Sequence, residues 1–153
     1  MIATIDILSE VREILTNYLE ANGQRKTNER YIILEEVYLS DTHFEAEDLY
    51  KTLVEKDHSL SRATVYNTLD LLVSANLAIK HQFGENLAHY EKSYKFAQHD
   101  HLICGECKKV VEFCDPRIQS IKTKMGELFN FKITHHRLNI FGICAECSAK
   151  QTK

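Results

Sequence analysis

The sequence predicts an α+β protein in two parts. The first is mainly helical and closed by a pair of strands, and the second is smaller, mixing strands with helices. Three observations predict this. Apolar residues recur at helical spacing in four blocks before about residue 75. Two short alternating runs flank Gly84-Glu85-Asn86. Two Cys-x-x-Cys pairs, Cys104/Cys107 and Cys144/Cys147, bracket most of the tail.

In chain order, Ile7, Val11, Ile14, Leu15 and Tyr18 share one face of a first helix, and Gly23 is a natural stop. Thr27 and Asn28 precede a second helix carrying Tyr31, Ile32, Leu34, Glu35, Val37 and Tyr38. A third spans about Ala46 to Lys56, with Leu49, Tyr50, Leu53 and Val54 as its apolar stripe. Ser61 suits the N-cap of a fourth helix, which buries Val65, Leu69, Leu72 and Val73 while Leu71 points away. Leu77–His81 and Ala88–Glu91 then read as a two-stranded wing around residues 84–86. Helices followed by such a wing make the plan of a winged helix-turn-helix. In the second part, His101–Ile103 and Val110–Phe113 read as strands on either side of the first cysteine pair. Asp115-Pro116 starts a helix that buries Ile118, Ile121, Met125 and Leu128. Lys132 to Phe141 alternates as a long strand, with His136, Leu138 and Ile140 on one face.

A chain of 153 residues buries about 70% of its unfolded surface, enough for one medium domain or two small ones. Its 44% apolar and 27% charged content are ordinary for a soluble globular protein. No apolar run is long enough to span a bilayer, and Met1-Ile2-Ala3-Thr4-Ile5-Asp6 lacks the basic flank of a secretory signal. A cytoplasmic protein with no membrane partner is expected, and its five cysteines fit a reducing compartment.

Two residues between thiolates let one tight turn supply half of a tetrahedral zinc shell. Cys104, Cys107, Cys144 and Cys147 therefore read as a structural Zn2+ site, with a disulfide or thiol-redox pair as the competing use. Cys114 is left over and reads as a half-buried, inert thiol. The roughly 50 to 60 residues of the second part make a marginal core, so zinc and self-association are the expected stabilisers.

His99-Asp100-His101 sets two imidazoles at i and i+2, on one side of an extended segment. With His43, Glu91 and Glu112 they form a His/carboxylate set suited to Fe2+, Mn2+, Zn2+ or Co2+. Scattered surface histidines and ion-pair carboxylates are the competing reading, and spacing leaves both open. On the fourth helix, Ser61, Arg62, Thr64, Tyr66 and Asn67 are groups suited to phosphates and base edges. Charge partly opposes this. Residues 1–83 carry 8 Lys/Arg against 14 Asp/Glu, a net −6, and the rest a net +3. The positive groups must therefore act locally, through Arg25, Lys26, Arg30, Arg62 and Lys80, which excludes indiscriminate coating of DNA.

The chain resembles the ferric uptake regulator (Fur) family of metal-sensing repressors over nearly its whole length. The resemblance is carried by the stretches 23–30, His43-Phe44-Glu45-Ala46-Glu47-Asp48-Leu49-Tyr50, Ser61-Arg62-Ala63-Thr64-Val65-Tyr66, 99–107 and Gly142-Ile143-Cys144-Ala145-Glu146-Cys147. It implies a winged-helix DNA-binding domain at 1–92, a hinge at about 92–98, and a small α/β dimerisation and metal-binding domain with structural zinc at 93–153. It implies structural zinc on the four paired cysteines and a regulatory metal, Fe2+ in the first instance with Mn2+ or Zn2+ as alternatives, on His43, Glu91, His99, His101 and Glu112. A third family site maps to Gln98, Asp100, Gln119 and His136. Two usually ionisable positions there are amides, which makes it a weak site on Asp100 and His136. Double-stranded operator DNA, an AT-rich inverted repeat, is the implied partner of a homodimer or tetramer, with repression of metal-uptake genes as the outcome. Arg25 looks like the family's minor-groove contact, and Asn67 stands where the reading helix usually carries Arg. The peroxide-sensing branch tends to place Asp where Glu91 and Glu112 stand. The zinc-sensing branch usually brings Cys into its sensing site, and no Cys precedes Cys104.

An enzyme is not expected. Neither a glycine-rich phosphate loop nor a nucleophile elbow occurs, and a hydrolytic centre on His99, Asp100, His101 and Glu112 would stand alone. A zinc-ribbon protein-interaction module is the alternative from another class. Manganese-, zinc- and peroxide-responsive regulators are alternatives within the family.

Overall fold

A computed structural model of the chain describes residues 2–82, 88–94 and 99–151. The chain divides into two compact units, Met1–Phe96 and Ala97–Lys153. The expected wing turn at Gly84–Asn86, most of the expected hinge, and Gln98 lie outside the described residues.

The first unit runs α1 (Ile2–Ala21), α2 (Asn28–Leu39), β1 (Phe44–Glu45), α3 (Ala46–Glu55), α4 (Arg62–Ser74), β2 (Ala78–Gln82) and β3 (Ala88–Lys92). Helix α1 ends where expected. Gly23 takes φ +61°, Gly23 N–H donates to Glu20 O, and Gln24 N–H donates to Leu19 O, the paired bonds that close a helix through a left-handed residue. The core gathers Val11, Leu15 and Leu19 from α1, Ile33, Leu34 and Val37 from α2, Leu49 and Leu53 from α3, and Val65, Leu69 and Leu72 from α4.

Three expectations for this unit need correction. The wing has three strands in the order β1-β3-β2, because Phe44 and Glu45 pair antiparallel with Tyr90 and His89. A two-residue strand is too short to show alternation in sequence. Leu71 is buried rather than turned outward, since α4 also buries Thr68 and so presents an apolar arc wider than one stripe. Val54, placed in the α3 stripe, is 46% exposed.

The second unit comprises β4 (Asp100–Cys104), β5 (Val110–Phe113), α5 (Pro116–Phe129), β6 (Asn139–Gly142) and α6 (Ala145–Gln151). Strand β4 is central, antiparallel to β5 and parallel to β6. Asp115 caps α5 by accepting from Arg117 N–H at 2.9 Å, with Pro116 in the first turn. The helix closes through Asn130 in the left-handed region.

Here too the expected pattern fails in instructive places. The long strand over Lys132–Phe141 shrinks to Asn139–Gly142, because β6 pairs only with the short β4. The α5 stripe is not buried, with Ile121 at 58% and Leu128 at 69% exposure. Cys114 is exposed, not half-buried. Among the described residues of this unit only Asp100, His101, Ile103 and Cys104 are buried, too few to form a self-sufficient core.

Tyr38 ties α2 to the start of the wing. Its hydroxyl donates to Leu77 O at 2.8 Å and accepts Tyr94 N–H at 3.2 Å, and burial pushes its pKa up to about 12. Tyr38→Phe should leave Leu77 O with the longer bond from Ser93 N–H alone and take from Tyr94 N–H its hydroxyl acceptor. It should destabilise the first unit by about 1–3 kcal/mol, read from urea unfolding followed by circular dichroism. An unchanged midpoint would show that the hydroxyl is dispensable.

Candidate metal centres

The four paired cysteines converge. Their sulfurs all lie within 4.8 Å of one another, with Cys107 Sγ to Cys144 Sγ at 3.7 Å. Four thiolates bonded to zinc at about 2.3 Å in a tetrahedron stand about 3.8 Å apart, so the set fits that ion. Sheet and knuckle build the site together. Cys104 ends β4, Lys108 takes φ +63° to turn the chain, and Lys108 N–H donates back to Cys104 O. Gly105 N–H donates to Gly142 O, which brings the first knuckle beside the segment leading to Cys144, and Cys147 sits on α6. Backbone N–H groups of Cys144 and Cys107 aimed at Cys104 lower its pKa to about 6, while bonds to the neighbouring Cys144 and Cys107 thiols push Cys147 up to about 12. Thiols contesting one small space in this way are set up to exchange protons for a divalent cation.

The expected regulatory residues fall into two groups, one in each unit. In the first unit, His43 Nε2 lies 3.2 Å from Glu91 Oε2. His81, which sequence reasoning passed over, lies 2.6 Å from Glu91 Oε1, and its ring centroid is 5.5 Å from that of His43. All three side chains are buried. A signal for His81 existed: Ile79 pairs with Glu91 and His81 with His89, so alternation turns 79, 81, 89 and 91 to one face of the sheet. His89 shares that face beside Glu45, and burial lowers its pKa.

In the second unit, His99 and His101 stack edge to face at 4.9 Å, on one side of the strand as their i, i+2 spacing requires. His99 Nε2 is 3.8 Å from Glu112 Oε2, and Glu112 is the cross-strand partner of His101. Asn139 Oδ1, also unforeseen, lies 3.2 Å from His101 Nδ1. Asp100 faces the other way and meets His136 Nε2 at 2.9 Å. Gln119 lies exposed on α5.

The expected DNA-facing residues all belong to the first unit. Ser61 caps α4 by accepting from Thr64 N–H at 3.0 Å, and Tyr66 and Asn67 are exposed on it. Arg30 donates to Arg25 O at 2.6 Å, bracing the segment that carries Arg25. Arg62 is held from two sides. Its Nη2 and Nε donate to Glu47 at 2.9 and 3.1 Å, and its guanidinium lies 4.4 Å over the Tyr50 ring. The hydrogen bonds between the two charges lower the Glu47 pKa and raise that of Arg62.

Residues 21–141 match the model of the ferric uptake regulator family. The chain belongs to that family. It is 35% identical over 137 residues to the ferric uptake regulation protein of Campylobacter jejuni, covering 88% of this chain and 87% of that one. It is also 35% identical over 142 residues to the peroxide operon regulator of Bacillus subtilis, covering 93% and 96%. Among solved structures, the Helicobacter pylori ferric uptake regulator Fur matches with a TM-score of 0.80 and 28% identity, over 92% of this chain and 93% of that one; three functional metal-binding sites are described in it. Membership in the ferric uptake regulator family makes this chain a metal-responsive transcriptional regulator. Its fold is accordingly a winged helix followed by a small α/β dimerisation domain with a four-cysteine zinc site.

Each Cys→Ser change at 104, 107, 144 or 147 should release zinc and abolish cooperative unfolding of the second unit, because metal affinity and folding are linked. Cys114→Ser should keep its full zinc content. Metal released on denaturation, measured with a chromogenic chelator, checks both.

Proposed function

We propose that the chain is a repressor of metal-uptake genes that responds to Fe2+ and binds an operator as a dimer. The regulatory ligands are His43 and Glu91 from the first unit with His99, His101 and Glu112 from the second. The observation that carries this reading is that each unit gathers its own imidazole-and-carboxylate group, in the ligand chemistry of a harder divalent cation rather than of the thiolate zinc site. When bound, the ion supplies a link between ligands of both units. Glu at 91 and 112, and sensing positions without Cys, favour iron over the peroxide- and zinc-responsive branches.

The chain's own residues do the rest. Helix α4 presents Tyr66 and Asn67 to base edges, and Ser61, Thr64, Arg25 and Arg30 supply phosphate and groove contacts. Glu47 and Tyr50 orient Arg62, which serves as the basic group of a reading helix that carries Asn67. The exposed apolar side chains of the second unit, Ile121, Leu128, Phe129, Phe131 and Phe141 among them, support self-association. Two reading helices per dimer then address two half-sites, and the first unit's net negative charge keeps non-specific binding weak.

Linkage requires that operator DNA tighten regulatory-metal binding by the factor by which metal tightens operator binding. The joint change His99→Ala and His101→Ala should abolish Mn2+- or Fe2+-dependent retention of selected operator DNA while leaving the dimer and its zinc intact. Undiminished metal-dependent retention in an anaerobic mobility-shift assay would overturn the assignment.

A further inference from the structure

His81 is the buried group that the proposed sensing set leaves unused. It lies on β2, Glu91 lies on β3, and His43 immediately precedes β1. The strand registers turn His81 and Glu91 to the same face of the sheet. The two imidazoles aim their Nε2 atoms at opposite oxygens of one carboxylate, at 2.6 Å for His81 and 3.2 Å for His43. All three side chains are 6–7% exposed.

Stability does not explain the cluster. Burying ionisable groups costs free energy that apolar residues at the same positions would not. Chemistry does explain it. Donor atoms bonded to one ion at about 2.1 Å stand about 3.0 Å apart at right angles and about 3.4 Å apart in a tetrahedron. The nitrogen-to-oxygen separations here bracket the first of those values. Two imidazoles and one carboxylate from one side form the ligand set of non-haem Fe2+ sites, with further coordination positions open.

We propose that His43, His81 and Glu91 form a three-ligand divalent-cation site contained within the winged-helix unit, in which His81 is a metal ligand. This rests on the sensing role of His43 and Glu91 proposed above and adds to it an ion held by the first unit alone. The ligands of the second unit then raise affinity at a site that already exists, and metal capture precedes the link between units.

The test uses full-length, zinc-loaded protein carrying His99→Ala, His101→Ala and Glu112→Ala, titrated with Co2+ and followed by its visible absorption, with bound metal counted after dialysis. One Co2+ per chain beyond zinc is expected to remain. Adding His81→Gln, which keeps an amide donor for Glu91, should weaken that Co2+ at least tenfold and change the spectrum, and His43→Ala should do the same. Three outcomes overturn the proposal: no Co2+ beyond zinc in the triple variant, Co2+ binding indifferent to His81→Gln, or an unaltered spectrum that marks His81 as a positioning residue for Glu91. Zinc content and circular dichroism of each variant confirm folding. Since no DNA is present, failure here is separable from failure of the sensing role, which the operator assay on the His99/His101 variant reads independently.

Discussion

Four sulfur atoms within 4.8 Å of one another are the constraint on which the second unit rests, because almost nothing else is buried there. Ile103 is the one large apolar side chain sealed from solvent among its described residues. Strand β4 reaches the cluster at Cys104, and the segment after β6 reaches it at Cys144. An ion at this point fixes the parallel pairing of β4 with β6 and the start of α6. Metal affinity takes the place of the apolar area that so small a unit lacks. The same sheet places His99 and His101 on one side and Asp100 on the other. The ligands proposed for this unit thus inherit their geometry from a scaffold held by the four-cysteine site.

The first unit reaches stability by the opposite route. Four helices enclose a continuous apolar core, and the wing sheet can therefore tolerate a polar, ionisable face. Tyr90 and Ala78 turn one way into that core, while His81, His89 and Glu91 turn the other. Alternation in a strand separates the face that packs from the face that carries ionisable groups, and both fit into ten residues of hairpin.

Legibility in the sequence followed the strength of local physical signals. The caps at Gly23, Ser61 and Asp115 were readable because backbone groups at helix ends demand particular side chains. The four cysteines were readable because zinc accepts few spacings. Strand β1 was not readable, since two residues carry no period. His81 was overlooked because its significance lies in register across a hairpin, which no single window displays. The α5 stripe is legible in the sequence, but its exposure is not. Periodicity reports which face is apolar and says nothing of what covers it. Leu71 shows the converse, a side chain off the main stripe that is buried in the core cluster all the same.

Strand β1 has a mechanical consequence beyond completing a sheet. Glu45 is at once its last residue and the N-cap of α3, so no loop separates His43 from that helix. The first turn of α3 carries Glu47, which grips Arg62 at the start of α4. A pull on the His43 imidazole therefore meets no slack along the way. It travels as through a crank, from sheet edge to helix to guanidinium, and arrives at Arg62, one of the residues proposed to face DNA.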